Sequence, residues 1–296
     1  MKKSILFLFI LIFLFHSCEE EEISSPNIIL FFVDDLGWQD TSVPFWNKKT
    51  KWNNQFQTPN MERLAAKGMK FTQAYATPVC SPSRISLMTG MNAARHRVTN
   101  WTLHKDRLQP MEVNHNSLTF PYWNINGLTP DSTLQYAIHA TTFPSLLQNA
   151  GYHTVHVGKA HLGAIGTPAE HPINIGFDIN IAGHAAGAPK SYLGKENYGN
   201  IEKFKNSPWP VPGLEKYHGK DIFLTKALTL EAIDAINRPI EKNQPFFLYM
   251  SLYGVHTPIM ADDRFVEKYY QMGLDSTEAK YASMVESMDK SLGDLM

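Results

Sequence analysis

Two adjacent carboxylates follow the first apolar run of the chain. Asp34 and Asp35 come directly after residues 27–33, which are apolar except for the leading asparagine. Neighbouring carboxylates repel each other, and a bound cation removes that cost. Oxygen ligands suit Ca²⁺ or Mg²⁺. The pair therefore indicates a divalent-cation site, with a turn that ends the strand as the alternative, because Asp is a common turn residue.

A cysteine and an arginine lie at a predicted helix start. In Cys80-Ser-Pro82-Ser-Arg84, the proline suits the first turn of a helix and places Cys80 at the positive end of that helix. This position favours an anion. Arg84 could stabilise a reactive group at position 80. The alternative for Cys80 is an inert buried thiol.

Three more polar residues follow predicted strands. Lys159 and His161 come after residues 152–157, and His256 comes after residues 246–252. Open α/β sheets bind ligands at the carboxyl ends of their strands, so these residues are expected beside the aspartates and the cysteine. A solvated loop is the alternative for Lys159 and His161, and a structural, hydrogen-bonded histidine is the alternative for His256.

The rest of the chain predicts the elements that position these groups. Strands that alternate with helices indicate an α/β fold with a mostly parallel or mixed central sheet that helices flank. The predicted strands are 27–33, 69–76, 152–157 and 246–252, and the predicted helices are 58–67, 81–89, 142–150, 221–237 and 281–295.

Two long loops interrupt this alternation. Residues 91–140 carry several His and Asn residues, and residues 163–218 are rich in Gly and Pro. Loops of this length in a compact domain are usually functional or disordered. Trp101 and Trp123 in the first loop could stack on a sugar ring or pack the loop.

Composition excludes two classes of protein. Hydrophobic residues make up 43% of the 296 residues and charged residues 19%, which argues against intrinsic disorder. The formal net charge is −1 and the sequence pI is 6.9. The chain has no positive field with which to hold nucleic acid, so no nucleic-acid partner is expected.

The N-terminus predicts export. A basic start precedes an apolar run over residues 5–15, and Cys18 follows almost at once. We interpret residues 1–18 as a signal peptide that resembles the bacterial lipoprotein type, residues 19–26 as an acidic linker and residues 27–296 as the catalytic part. Lipidation of Cys18 would anchor the protein to a membrane, in the periplasm or at the cell surface, as an outer-membrane lipoprotein. An ordinary cleaved signal is the alternative.

Taken together, the motifs closely resemble the type I, formylglycine-dependent sulfatases of the alkaline phosphatase superfamily. The resemblance covers about residues 26–295 and is most specific at Cys80-Ser-Pro-Ser-Arg84-Ile-Ser-Leu-Met-Thr-Gly90. The other matching segments are 26–38, 58–68, 151–163, in which Ala160 replaces the Trp of the family, and 253–258.

The resemblance implies a sulfuric-ester hydrolase that acts on a sulfated carbohydrate. Substrates of the algal ulvan or carrageenan type and glycosaminoglycans are the candidates. It implies that a maturation enzyme oxidises Cys80 to Cα-formylglycine, whose hydrate attacks sulfur. Asp34, Asp35 and the modified Cys80 would hold Ca²⁺, with Mg²⁺ as the alternative.

The resemblance also assigns the remaining polar residues. Arg84 and Lys159 would steady the nucleophile and the sulfate charge, and His161 or His256 would protonate the leaving alcohol.

The sequence departs from the family pattern at its C-terminal end. Family members continue into a strand that supplies the other two metal ligands, then a Lys that contacts the sulfate, and a small C-terminal subdomain. We therefore expect a truncated sulfatase that lacks the last strands and the C-terminal subdomain. A catalytically impaired remnant or sulfoglycan-binding protein is one alternative, and a phosphate or phosphonate ester hydrolase is another.

Overall fold

A computed structural model describes residues 25–109 and 116–296. The predicted signal peptide 1–18, the lipidation residue Cys18 and residues 19–24 of the acidic linker lie outside the described residues. Within the described part, no helix is long and apolar enough to cross a bilayer.

A four-stranded parallel sheet forms the centre of the molecule. Its strands are β1 (Ile28–Phe32), β4 (His153–Gly158), β5 (Ile179–Ile181) and β6 (Phe246–Ser251), in the order β1-β6-β4-β5. Leu248 of β6 pairs with Ile29 on one side and with Val155 on the other, so β6 is central and β1 lies at an edge. Two short strands, β2 (Leu128–Thr129) and β3 (Ile138–His139), pair separately.

Helices cover both faces of this sheet, as the fold prediction expected. Their bounds are α1 (Pro59–Lys67), α2 (Cys80–Thr89), α3 (Ala93–His96), α4 (Phe143–Asn149), α5 (Leu224–Glu241), α6 (Val266–Gln271) and α7 (Ser276–Leu295). Short 3₁₀ helices span Trp52–Asn54, Pro168–Glu170, Pro172–Ile175, Gly194–Gly199, Glu202–Phe204 and Glu215–Tyr217.

The central strand shows why the sheet is buried on both sides. Phe247 and Tyr249 of β6 pack in one apolar cluster, whereas Leu248 and Met250 pack in the other. Side chains of a strand alternate between its two faces, so a strand covered on both sides is apolar throughout. Burial on both faces explains why the sequence of this strand is an uninterrupted apolar run.

The prediction of a strand over 69–76 is wrong. These residues form no strand, and Met69, Phe71 and Tyr75 are 79%, 69% and 91% exposed. An extended segment becomes a strand only when a neighbour satisfies its backbone, and among the described residues none pairs with it. Cys80 is therefore positioned by helix α2 and not by a preceding strand.

Most helix predictions are confirmed, with shifts at their ends. The predicted helix 221–237 begins at Leu224 and continues to Glu241. Helix α2 ends at Thr89 and is capped by Gly90, whose φ of 69° lies in the left-handed region that favours glycine. The loop 163–218 contains only 3₁₀ turns and the short strand β5 as regular structure among its described residues.

Candidate active site

The carboxyl ends of three strands and the start of one helix meet at one edge of the sheet. Asp34 follows β1, Lys159 follows β4 and His256 follows β6. The backbone fixes this arrangement, because Asp34 N donates to Gly254 O at 3.0 Å and Val255 N donates to Asp34 O at 2.7 Å. The predicted convergence of the site residues at strand ends is what the structure shows.

Asp34 lies in a buried ion cluster. Its Oδ1 accepts a hydrogen bond from Arg84 Nη2 at 3.0 Å, and its Oδ2 accepts one from Lys159 Nζ. All three side chains are at least 95% buried. Two cations therefore face one carboxylate away from water, which leaves an excess of positive charge beneath the site. Such a cluster favours the approach of an anion.

The pKa values of this cluster follow from its geometry. Burial raises the pKa of Asp34, but Arg84 and Lys159 outweigh it and hold the pKa below its usual value. Burial lowers the pKa of Lys159 in spite of the opposing effect of Asp34, and the neighbouring Arg84 lowers it further. The carboxylate is thus ionised, as a metal ligand or ion-pair partner must be.

Arg84 is held from beneath the site. Its Nη1 donates to Lys159 O at 3.0 Å and to Ser251 Oγ at 2.5 Å, and its guanidinium lies over the ring of Phe32 at 5.0 Å. Ser251 Oγ also donates to Lys159 O at 2.7 Å. Sequence reasoning missed Ser251, although a serine that ends an otherwise apolar buried strand is a signal that could have found it.

Cys80 opens onto a cavity of about 320 Å³, which we call the Cys80 cavity. The cysteine is half-buried at the first position of α2 and carries a free thiol. Asp35, His161 and His256 line the same cavity, as do Trp101 and Trp209. The structure therefore brings all seven predicted catalytic and metal-binding residues to two places: four line this cavity, and Asp34, Arg84 and Lys159 form the ion cluster.

His161 is fixed in one tautomer. Its Nε2 lies 2.8 Å from Thr102 O, and because a carbonyl only accepts, Nε2 carries the proton. Nδ1 is buried and has no hydrogen-bond partner among the described residues. Burial, followed by the nearby Lys159, holds the pKa of His161 well below its usual range. A neutral imidazole thus offers an acceptor at Nδ1.

The position of His161 depends on a glycine that sequence reasoning missed. A Cβ at Gly187 would lie 2.2 Å from both Nδ1 and Cε1 of the imidazole, so only glycine fits there. Thr102, which fixes the tautomer, belongs to the long loop 91–140 and carries no signal in the sequence. His161 itself has a φ of 53°, and Asp35 a φ of 55°. Such left-handed conformations cost energy and cluster at functional sites.

His256 forms a pair with Asp35 at the entrance. His256 Nδ1 lies 2.8 Å from Thr257 O and therefore carries a proton, while Nε2 lies 3.7 Å from Asp35 Oδ2. Asp35 is 62% exposed, in contrast to its buried neighbour Asp34. The second histidine nitrogen thus faces both a carboxylate and the Cys80 cavity.

Asp34 and Asp35 fit the predicted cation. Carboxylate oxygens of both residues and a nitrogen of His256 lie within 4.8 Å of one another. Each carboxylate oxygen has a lone pair beyond those used by Arg84 and Lys159. Two ionised oxygen donors suit a hard divalent ion such as Ca²⁺ or Mg²⁺. Two carboxylates make up only part of such a coordination shell.

Fold and site together define the class of the protein. A parallel α/β sheet carries paired acidic residues, a cysteine at a helix N-terminus and buried cations at the carboxyl ends of its strands, where open α/β sheets bind ligands. The sulfatase family model matches residues 26–296, and the chain belongs to the sulfatase family.

Relatives support this assignment. The chain is 31% identical over 284 residues to N-acetylgalactosamine-6-sulfatase of Mus musculus, an alignment that covers 92% of this chain and 46% of the relative. It is 27% identical to a sulfatase of Formosa agariphila, over 92% of this chain and 52% of that protein. The chain thus spans about half the length of the curated relatives it matches.

Solved structures agree with the fold. The crystal structure of Ps i-CgsB superposes with a TM-score of 0.63 and 28% identity, covering 91% of this chain and 54% of that chain. The PsFucS1 sulfatase from Pseudoalteromonas sp. superposes with a TM-score of 0.59 and 23% identity, covering 91% and 51%. The predicted α/β sulfatase fold is confirmed.

Proposed function

We propose that this sequence is the catalytic portion of a carbohydrate sulfatase that hydrolyses sulfate esters. The observation that carries the proposal is the position of Cys80. It lies at the positive end of α2, on a cavity shared with Asp35, His161 and His256 and next to the buried cations Arg84 and Lys159. The negatively charged sulfate group of an ester meets complementary charge on this side of the sheet.

The proposed reaction needs a formylglycine at position 80 and a bound divalent cation. Oxidation of Cys80 to formylglycine by a maturation enzyme would give a hydrated aldehyde whose hydroxyl attacks sulfur. A divalent ion held by Asp34 and Asp35, Ca²⁺ or else Mg²⁺, would act as a Lewis acid toward the sulfate oxygens.

The two histidines take different roles in this proposal. His161 has its proton on Nε2, engaged by Thr102 O, so its free Nδ1 accepts a hydrogen bond from the group at position 80. His256 lines the Cys80 cavity and its Nε2 lies 3.7 Å from Asp35 Oδ2, so it is the residue that protonates the leaving alcohol in this proposal. Arg84 and Lys159 orient Asp34 and stabilise the negative charge of the sulfate.

The relatives narrow the substrate class. One of them is an N-acetylgalactosamine-6-sulfatase, and Ps i-CgsB was crystallised with k-i-k-neocarrahexaose. We propose a sulfated galactan of the carrageenan type or a glycosaminoglycan as substrate. The N-terminal pattern supports export and lipid anchoring through Cys18, which would place the enzyme where such polymers are encountered.

Sulfate release tests the proposal. The chain is co-expressed with a formylglycine-generating enzyme, and mass spectrometry of the peptide around Cys80 measures its conversion. Turnover of 4-nitrophenyl sulfate and of carrageenan and chondroitin sulfate oligosaccharides is then measured with Ca²⁺, with Mg²⁺ and with chelator. We expect cation-dependent sulfate release that Cys80→Ala abolishes, while its thermal unfolding stays close to that of the parent chain.

Three outcomes contradict the proposal. Full activity of Cys80→Ala would exclude the nucleophile. Faster turnover of 4-nitrophenyl phosphate than of the sulfate would favour a phosphate ester hydrolase. Binding of the sulfated oligosaccharides with no turnover by a fully converted chain would favour a non-catalytic, sulfoglycan-binding protein.

A further inference from the structure

A second cavity adjoins the Cys80 cavity. It has a volume of about 240 Å³ and is formed by the loop that follows α3. Trp101 lines both cavities, so the two are neighbours that share this residue. We call the second one the Trp123 cavity. A ligand that fills the Cys80 cavity would therefore extend past Trp101 into it.

The walls of the Trp123 cavity are aromatic and accessible. Phe120 and Trp123 line it and are 41% and 46% exposed. Rings that served only to pack this loop would be buried, since burial is the source of their stabilising effect. The volume lies below the roughly 300–1,000 Å³ of pockets for drug-sized ligands, which suits a single ring.

A buried amide, that of Gln109, lines the same cavity. Gln109 lines the cavity and is only 8% exposed, yet its Nε2 donates no hydrogen bond to any residue that the structure describes. Leaving a buried donor unpaired costs free energy, so such groups in a cavity point to a missing acceptor. A hydroxyl or carboxylate oxygen of a ligand would satisfy it.

A cation at the rim adds charge selection. Arg97 lines the Trp123 cavity and is exposed, and the ion pairs formed among the described residues include no acidic partner for its guanidinium. Guanidinium groups bind sulfate and carboxylate oxygens in pairs. The cavity thus combines aromatic faces, a free amide donor and one positive charge.

We propose that the Trp123 cavity binds a second, anionic sugar unit, adjacent to the one that carries the reacting sulfate. Trp123 and Phe120 contact the faces of this sugar, Gln109 donates to one of its oxygens, and Arg97 pairs with its sulfate or carboxylate. The inference rests on the proposed function and specifies it: the substrate is an oligosaccharide or polymer with charge on neighbouring units, not an isolated sulfated monosaccharide.

Calorimetric binding to paired ligands tests this subsite. The Cys80→Ala chain, which cannot consume the ligand, is titrated with N-acetylgalactosamine 6-sulfate and with a chondroitin 6-sulfate tetrasaccharide, and separately with galactose 4-sulfate and a sulfated neocarratetraose. Trp123→Ala and Arg97→Gln are compared with matched controls outside both cavities, Trp46→Ala and Arg95→Gln. Trp46 is 60% exposed, so its removal leaves the core intact.

We expect each cavity variant to weaken tetrasaccharide binding about tenfold, while monosaccharide binding and both controls stay unchanged. The loss in Arg97→Gln should shrink as salt rises, because screening removes an exposed ionic contact. The inference is overturned if the variants match the controls, if monosaccharide and tetrasaccharide weaken equally, or if no tetrasaccharide binds.

Turnover by the unsubstituted chain separates this inference from the proposed function. Tetrasaccharide-specific losses without any sulfate release by the converted chain would retain the subsite and reject hydrolysis. Sulfate release combined with cavity variants that behave like the controls would do the reverse.

Discussion

At the scale of single residues, the adjacent aspartates Asp34 and Asp35 have different roles. Asp34 is buried between Arg84 and Lys159, whereas Asp35 is 62% exposed and pairs with His256. The sequence presents them as an equivalent pair of metal ligands. The structure assigns a second role, charge compensation in the interior, to Asp34 alone.

A pair of substitutions separates these roles. Asp34→Asn leaves two buried cations without their carboxylate, so we expect a loss of about 3–5 kcal/mol in the free energy of unfolding. Asp35→Asn removes an exposed charge, and we expect a change within about 0.5 kcal/mol. Urea unfolding of both variants measures the difference. Equal stability losses would contradict the buried cluster.

Sequence motifs predicted the reactive residues of the site but not their supports. Asp34, Cys80, Lys159 and His256 are recognisable because their types and their places after strands or at a helix start imply chemistry. Supporting groups carry no such pattern. The carbonyl of Thr102 accepts a hydrogen bond from His161, and the missing side chain of Gly187 leaves room for its ring. Both contacts join segments far apart in the chain, so the local sequence pattern around His161 does not reveal them.

At the scale of elements, strand β4 carries a buried histidine next to the site. His156 is fully buried, and its ring packs edge-on against Phe177 and Tyr249 at 5.2 and 5.4 Å between centroids. The side chain of Asn180 and the backbone of Lys159 are polar neighbours of the ring, but they affect its pKa less than burial does. Burial, followed by repulsion from Arg84, lowers the pKa of His156 to about 3.

This histidine should make the fold acid-sensitive. Between its ordinary pKa of 6.5 and about 3, the unfolded chain binds a proton that the folded chain does not. Its contribution to stability is therefore complete above pH 6.5 and falls as pH drops, by up to about 1.4 kcal/mol per pH unit. His156→Phe should flatten the curve of unfolding free energy against pH.

The matched control is His139→Phe, because His139 is exposed. Both variants are unfolded with urea at several pH values between 4 and 8, roughly the range in which the histidine acts. A slope in His156→Phe that equals the slope of the parent would show that other groups cause the acid sensitivity.

Helices α1 and α7 are joined through a cap supplied across the fold. Thr58, at the N-cap of α1, makes no side-chain cap hydrogen bond. Asp289 of α7 replaces it: its Oδ1 accepts from Met61 N at 2.8 Å, and its Oδ2 accepts from Asn60 N at 3.1 Å. The free backbone donors that begin a helix are thus satisfied from a residue far along the chain.

Removing this cap should loosen α1. We expect Asp289→Ala to lower the free energy of unfolding by about 1 kcal/mol, the usual cost of losing a helix N-cap. Asp294→Ala is the control, because Asp294 lies on the same helix and forms only an exposed ion pair with Lys290. Hydrogen exchange of the first amides of α1 should rise in Asp289→Ala alone, and equal exchange in both variants would contradict the cap.

Element types were predictable where one strand or helix carries its own pattern. Strands β1 and β6 were predicted from their apolar runs, β4 from its β-branched residues, and helices α2 and α4 from the residues that start and stop them. The segment 69–76 was predicted as a strand from its own residues, but it has no partner strand among the described residues. The prediction was therefore wrong. Strand formation is a property of a pair of segments.

At the scale of the whole molecule, two features expose apolar or unpaired surface. Strand β1 pairs with β6 and, among the described strands, with no other. A groove of about 710 Å³, the Trp38–Tyr75 groove, is lined by Trp38, Phe45, Trp46, Phe71 and Tyr75 among others. Open edges and large exposed apolar patches promote association.

The isolated chain should therefore self-associate through this groove. Sedimentation velocity at increasing protein concentration should show growing average mass, and the double variant Phe71→Ser, Tyr75→Ser should shift this growth to at least about threefold higher concentration, because both rings lose their apolar contact area. Leu146→Ser is the control, since Leu146 is 59% exposed on α4, away from the groove. If the control reduces association as much as the groove variant does, the contact is not made by this face but by general surface hydrophobicity.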